Sequence, residues 1–185
     1  MDLDQHPLCQ AHLALLERFR GVMNLVGPGP VRFHLEDCAQ ALQGLDAPSG
    51  RWVDLGSGAG FPGLVFAARF PEVALELVDS RRKRCVFLEQ VLAAGLPARH
   101  APVHVQCTRI EDLPPGAWDG AMARALAAPE QVLAWAERVL VPAGRLFLML
   151  TAEQPFEVPR GWRLEREHAY AIDGKARRAV LLQRD

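Results

Sequence analysis

The stretch Val53-Asp54-Leu55-Gly56-Ser57-Gly58-Ala59-Gly60-Phe61-Pro62-Gly63 decides how this chain is read. Trp52 to Leu55 predicts a short buried strand, three alternating glycines follow it, and the apolar run Leu64 to Phe70 predicts a helix. A strand entering a glycine turn that enters a helix is the nucleotide-binding corner of a doubly wound α/β sheet. Glycine has no Cβ, so such a turn is tight and a ligand can approach its backbone.

Spacing narrows the ligand. A dinucleotide corner uses Gly-x-Gly-x-x-Gly. Here Gly56, Gly58 and Gly60 form Gly-x-Gly-x-Gly, and Asp54 stands two residues ahead of the first. An acid there suits a ligand with a cationic amino-acid end and repels a pyrophosphate. This acid-first pattern resembles the S-adenosylmethionine loop of class I methyltransferases. Asp79 closes the next predicted strand, Ala74 to Val78, where a carboxylate can hold a ribose diol. A glycine-rich turn with no ligand is the plain alternative.

A chain of 185 residues, half of them hydrophobic, suffices for one domain with a sizeable core. A net charge of -1 argues against a freestanding, charge-driven nucleic-acid binder, although local basic patches stay compatible with it. Cys9, Cys38, Cys85 and Cys107 are scattered, with no Cys-x-x-Cys pair, so neither a zinc site nor a disulfide framework is expected. Met1-Asp2-Leu3-Asp4 lacks the basic and apolar regions of a signal peptide. The run Leu146 to Leu150 is far too short to span a bilayer. A cytoplasmic protein with no membrane partner is the expectation.

Ahead of the first strand, Pro7 can open a helix with Leu8, Leu15, Phe19, Val22 and Met23 on its apolar face. Gly27-Pro28-Gly29-Pro30 stops it. Val31, Leu35, Cys38, Leu42 and Leu45 form a second stripe. Residues 1–48 thus read as a helical cap on a core spanning 51–185, together one domain. His34 and Asp37 are neighbours on the second helix. We read them as a surface pair, with a place near the cofactor mouth as the alternative.

Past Asp79, Ser80 can cap a helix with Cys85, Leu88, Val91 and Leu92 inward, and Gly95 can stop it. Arg81, Arg82, Lys83 and Arg84 crowd the first turn, where the helix dipole disfavours cations. They are either a solvated run or a face for an anion. Pro102 to Gln106 predicts the third strand, and on a strand the spacing of His100 and His104 builds no metal site. The polar loop Thr108 to Leu113 falls at the carboxyl edge of the sheet, where ligands bind. Its Ile110 can contact an adenine, while Arg109 and Glu111 are also readable as a surface pair. Trp118 to Ala123 predicts the fourth strand, and Arg124 after it points toward the ligand crevice. Pro129 opens a helix with Val132, Leu133, Ala136 and Leu140 inward, and Pro142-Ala143-Gly144 turns into a fifth strand, Arg145 to Leu150. Trp162 to Tyr170 and Ala176 to Gln183 alternate around Asp173-Gly174, a hairpin signal. The expected fold is therefore Rossmann-like: a mostly parallel seven-stranded sheet ending in an antiparallel hairpin, the class I methyltransferase plan.

The match extends beyond fold. The chain resembles the RsmG (GidB) family, which methylates N7 of a guanine in bacterial small-subunit ribosomal RNA. The residues that carry this are Asp54 to Gly63, Val78-Asp79-Ser80 with Lys83-Arg84, Arg109-Ile110-Glu111, and Ala123-Arg124-Ala125, with Asn24-Leu25, His34 and Asp37 resembling the family's cap. The resemblance implies S-adenosylmethionine as cofactor, held by Asp54, Gly56, Gly58, Gly60, Phe61, Asp79, Ser80, Ile110, Glu111 and Arg124. It implies that Arg124 closes the site near the methyl donor and that Lys83, Arg84 and Arg109 face RNA. Arg124 and Arg109 are then the catalytic pair, acting by orientation and as fixed charges. The implied partner is 16S ribosomal RNA or a partly assembled small subunit, met by a monomer and without metal.

Guanine N7 has a free lone pair and no proton to lose, so no general base is required. The chain accordingly lacks the Asn-Pro-Pro-Tyr motif of exocyclic-amine methylases and a Cys-Pro nucleophile. Two departures stand out. The linker between the cap helices is short, and the fifth strand ends Leu148-Met149-Leu150-Thr151 where the family usually shows a Lys-Gly pair. A methyltransferase of the same fold acting on a small molecule or protein is the alternative, and a non-catalytic cofactor-binding scaffold is another.

Overall fold

In the computed structural model, which describes residues 2–23, 25–27 and 29–185, the twelve main elements follow the expected order. Side chains 20, 22 and 23 lie outside the description. Expectations resting on Val22, Met23, Asn24 and Pro28 therefore fall outside it as well. The helices are α1 (Pro7–Met23), α2 (Val31–Ala41), α3 (Gly63–Arg69), α4 (Arg82–Gly95) and α5 (Pro129–Val139). The strands are β1 (Arg51–Leu55), β2 (Ala74–Asp79), β3 (Val103–Cys107), β4 (Trp118–Arg124), β5 (Leu140–Thr151), β6 (Trp162–Ile172) and β7 (Lys175–Arg184).

The sheet order is β3-β2-β1-β4-β5-β7-β6. Strands β1 to β5 run parallel to one another, while β7 runs antiparallel to both β5 and β6. The chain winds outward from β1 to β3, then returns to β4 on the other side. That reversal opens a crevice beyond the carboxyl ends of β1 and β4. The hairpin turn is the expected one, with Asp173 and Gly174 both at positive φ (49° and 68°) as a type I′ turn requires.

Alternation along each strand sends side chains to both faces of the sheet, and both are covered. Trp52, Leu75, Leu77, Phe147 and Leu181 join α1, α2, α3 and α4 in one core. Val53, Leu55, Val78, Leu146, Leu148 and Leu182 join α5 in the other. Buried on both sides, the central strands read as nearly continuous apolar runs.

Three local expectations are corrected. The deepest residues of α1 are Leu8, Cys9, His12 and Leu16, with Leu15 and Phe19 only half-buried. His12 lies four residues from both Leu8 and Leu16 and so shares their stripe. Ser80 does not cap α4: it is exposed, the N-cap is Arg81, and no side chain serves there as a cap. The Asp79 carboxylate instead accepts the Arg81 N–H (2.8 Å). Finally, β5 begins at Leu140, pairing with Trp118, and the Pro142-Ala143-Gly144 turn is an irregularity within the strand.

A tight contact holds the sheet centre. Trp52 on β1 is paired in register with Gly120 on β4, and a Cβ at Gly120 would fall onto the indole ring. The ring is fully buried and its Nε1–H donates to the Ser49 carbonyl (3.0 Å). Overpacking a rigid aromatic costs typically about 1–3 kcal/mol. Gly120→Ala is expected to lower stability by about that amount, read as a lower denaturant midpoint with an unchanged slope.

Candidate functional site

At the carboxyl edge of the sheet the glycine loop is built from below. Ser57 N–H donates to the Val78 carbonyl (2.8 Å), tying the loop to β2. Asp54 lies beneath the loop, 1% exposed, and its Oδ2 accepts the Gly63 N–H (3.2 Å) at the start of α3. Its Oδ1 is buried with no hydrogen-bond partner among the described residues. Burial pushes this carboxyl up to about 7, against the pull of the hydrogen bond from Gly63. Gly56 has φ 68°, and a Cβ there would collide with Leu126, so loop and β4 exit meet backbone to side chain.

Asp79, at the end of β2, is 4% exposed. Its Oδ2 accepts the Gly58 N–H (2.9 Å) and an Arg84 N–H (3.2 Å), while Oδ1 accepts from Arg81. One carboxylate thus joins the loop, the strand and the first turn of α4. Arg84 differs from its expected place: it turns inward to Asp79, whereas Lys83 is exposed on the outer face.

A cavity of about 330 Å³ opens over these groups. Seven of the expected site residues line it: Gly56, Asp79, Ser80, Arg84, Arg109, Ile110 and Glu111. Val78, Leu126 and Trp135 add apolar walls that local sequence patterns did not point to. Asp54, Gly58, Gly60, Phe61 and Arg124 are not in its lining. Arg138, also unforeseen, reaches from the last turn of α5 and donates to the carbonyls of Ile110 (2.6 Å) and Leu113 (2.7 Å). It fixes the turn that carries Ile110 and Glu111. A cation in the last turn of a helix was visible, but its partner across the fold was not.

A second cavity, about 190 Å³, lies on the other side of the β4 exit. Arg124 is its central group. Its Nη1 donates to Asp37 Oδ2 (3.1 Å), its Nη2 lies 3.2 Å from His34 Nδ1, and its Cζ stands 5.2 Å from the Phe61 ring centroid. Tyr170 from β6 donates its hydroxyl to Asp37 Oδ1 (2.9 Å), and burial with the Asp37 charge pushes the phenol well up, so it stays a donor. The surface-pair reading of His34 and Asp37 is therefore corrected: Asp37 is 6% exposed, and both residues converge on Arg124. Folding brought β4 over α2, a contact that helix periodicity cannot contain.

Phe61 is held from the far side by His12. Their rings lie 4.4 Å apart, and His12 Nε2 lies 2.6 Å from the Ala59 carbonyl. Burial lowers the imidazole to about 4, so it is neutral and donates to that carbonyl. Cys38, beside Arg124, is pushed up to about 12 by burial and stays a thiol. The edge of β5 does not lack a cation. Arg177 on β7 is the register partner of Thr151 and lines the same cavity. Among the described residues no group of His, Cys, Asp and Glu could hold a metal ion, and no helix is long and apolar enough to cross a membrane.

Residues 5–175 match the family model of rRNA small subunit methyltransferase G, GidB. The chain belongs to this family. It is 41% identical over 139 residues to the Ribosomal RNA small subunit methyltransferase G of Methylobacterium radiotolerans, a match covering 70% of this chain and 63% of that protein. The match to the Parvibaculum lavamentivorans protein of the same name covers 59% of it, so the aligned part is less than two thirds of both relatives. With the Pseudomonas aeruginosa protein of that name, identity is 32%, covering all of this chain and 88% of the relative. Among solved structures, magnesium protoporphyrin IX methyltransferase from Synechocystis with bound SAM aligns with TM-score 0.59 at 15% identity, covering 95% of this chain and 97% of that one. TrmN from Thermus thermophilus aligns with TM-score 0.56 at 19% identity, covering 86% and 55%. These likenesses place the fold in the Rossmann-like methyltransferase class.

Two measurements probe how the site is built. A folded pKa near 7 for Asp54, above the ordinary carboxyl value of 3.8, means the native state binds a proton more tightly than the unfolded chain. The Asp54 contribution to stability is then full at low pH and shrinks as pH rises through about 7. In urea titrations from about pH 4 to 8, the wild-type midpoint should fall relative to Asp54→Asn as pH rises. Arg138→Met removes two charge-assisted bonds, each worth about 1.5–3 kcal/mol. It is expected to lower stability by a few kcal/mol and to speed amide exchange at Ile110 to Leu113.

Proposed function

We propose that this chain is an S-adenosylmethionine-dependent methyltransferase acting on N7 of a guanine in 16S ribosomal RNA. The observation that carries the reading is the family match across residues 5–175, which spans the larger cavity and all of the smaller one except Arg177. The larger cavity fits an adenosine-bearing cofactor. It combines apolar walls (Val78, Ile110, Leu126) with two acids, Asp79 and Glu111, at its polar side. Its volume lies in the range of small-ligand sites. Gly56, with no room for a Cβ, lets the ligand reach the backbone.

In this reading Ile110 and Leu126 hold the base, Asp79 and Glu111 accept from the ribose, and Asp54 holds the loop from beneath through the Gly63 N–H. S-Adenosylmethionine supplies a methyl group on a positively charged sulfur. The acceptor nitrogen brings its own lone pair and loses no proton, so the chain need only exclude water and orient. The groups at the border suit that role. Neutral His12, thiol Cys38 and phenol Tyr170 are held away from ionisation, and Arg124 is a fixed charge. Arg109 at the rim and Lys83 outside are exposed and serve as phosphate contacts. Arg84 serves Asp79 instead.

The test is methyl transfer from labelled S-adenosylmethionine to small ribosomal subunits and to free rRNA from a strain lacking the gene, followed by digestion to nucleosides. Label in 7-methylguanosine is expected. Label in another nucleoside, or none with S-adenosylhomocysteine binding intact, overturns the reading. The double variant Arg124→Ala/Asp37→Asn, which leaves no orphaned buried charge, should lose about 10²-fold or more in turnover. Its S-adenosylhomocysteine affinity should change little, as measured by calorimetry.

A further inference from the structure

The smaller cavity has no occupant in the proposed function as it stands. We infer that it receives the acceptor guanine as a single extruded base, with Arg177 as the residue that reads its acceptor edge. The inference rests on the RNA-methyltransferase reading and assigns the acceptor end of that site.

Size comes first. At about 190 Å³ the cavity is smaller than the roughly 300–1,000 Å³ of pockets that enclose whole small ligands. It has room for one heterocycle, leaving sugar and phosphate outside. An enzyme that must reach one atom of a base in a folded RNA extrudes that base into such a pocket. Phe33, Met149 and Leu150 supply apolar walls for a flat ring.

Polarity then selects the base. Both oxygens of Asp37 are taken, one by Tyr170 and one by Arg124. The charged donors facing the cavity are then Arg124 and Arg177, beside the neutral Thr151 and Gln154. Arg177 Nε is buried and has no acceptor among the described residues. The guanidinium carries further N–H donors, from which a base seated beside it can accept. Beside the reacting N7, guanine presents O6 as an acceptor, whereas adenine places an amino donor at that position. An arginine donor to O6 therefore favours guanine over adenine and leaves the N7 lone pair free for the methyl group.

Position completes the case. Arg124 and Ala125 line this cavity, and Leu126, next in the chain, lines the larger one. Ala125 has φ 49°, a left-handed conformation rare for a residue with a side chain. This turn hands the chain from one cavity to the other across adjacent residues. A base seated here borders the cofactor cavity directly.

The experiment is equilibrium dialysis of guanosine 5′-monophosphate and adenosine 5′-monophosphate against the whole protein saturated with S-adenosylhomocysteine. Wild-type protein should bind the guanine nucleotide at least about fivefold more tightly. In Arg177→Met that preference should fall to within about twofold, with S-adenosylhomocysteine affinity unchanged. With rRNA as acceptor, the same variant should raise KM about tenfold and leave kcat nearly unchanged. Equal binding of the two nucleotides by wild type, or no binding at millimolar concentration, overturns the proposal without needing any variant to fold. So does a variant whose cofactor affinity falls in parallel. If wild type transfers no methyl group to any rRNA, the functional reading fails, and the dialysis still decides whether the cavity is a guanine site.

Discussion

The ion pair between Asp37 and Arg124 joins parts of the chain 87 residues apart, and the edge of the site is arranged around it. Its side chains are 9% and 17% exposed, so each charge depends on the other. Removing one partner of such a pair typically costs about 3–5 kcal/mol, because the survivor stays buried and unpaired. The pair is also a junction. Tyr170 brings the C-terminal hairpin to Asp37, α2 supplies Asp37 and His34, and Arg124 lies over Phe61 of the glycine loop. Phe61 in turn rests on His12 of α1. Cap, loop, central strand and hairpin are thus keyed to one guanidinium.

The other acids of the loop region behave in the same way. Asp79 looks from its position like a ligand-holding carboxylate, yet it already accepts from Gly58, Arg81 and Arg84. A carboxylate has about four lone-pair sites, so a ribose hydroxyl adds to this set without displacing it. Asp54 is folded under the loop and contacts Gly63. Preorganisation of this kind holds the loop and the strand ends in one geometry. The chain contributes fixed geometry and fixed charge, and His12, Cys38 and Tyr170 are held away from ionisation.

The backbone plan was legible because it depends on short-range rules. Apolar runs of strand length, glycine at Gly56, Pro7 and Pro129 at helix starts, and Asp173-Gly174 at the hairpin each act within a few residues. The larger cavity was legible for the same reason. In a doubly wound sheet, strand ends lie in a row, so residues after β1, β2 and β3 fall together wherever the pattern is recognised. Gly56, Asp79, Ile110 and Glu111 do so. The smaller cavity was not. Its groups come from α2, β4, β5, β6 and β7, and no local period links Asp37 to Tyr170, 133 residues away.

Sequence alone determined the succession of strands and helices and the family, since these follow from residue types at fixed local spacing. Tertiary structure alone decided that His34 and Asp37 converge on Arg124, that Arg84 serves Asp79, and that His12 buttresses Phe61. It also decided that the cation at the β5 edge comes from Arg177, because the register of an antiparallel neighbour places it opposite Thr151 and no motif spans the stretch between them. The reason is physical. Secondary structure is fixed by backbone sterics and hydrogen bonds to near neighbours, whereas a charge buried in the interior finds its partner only when packing has brought distant segments together.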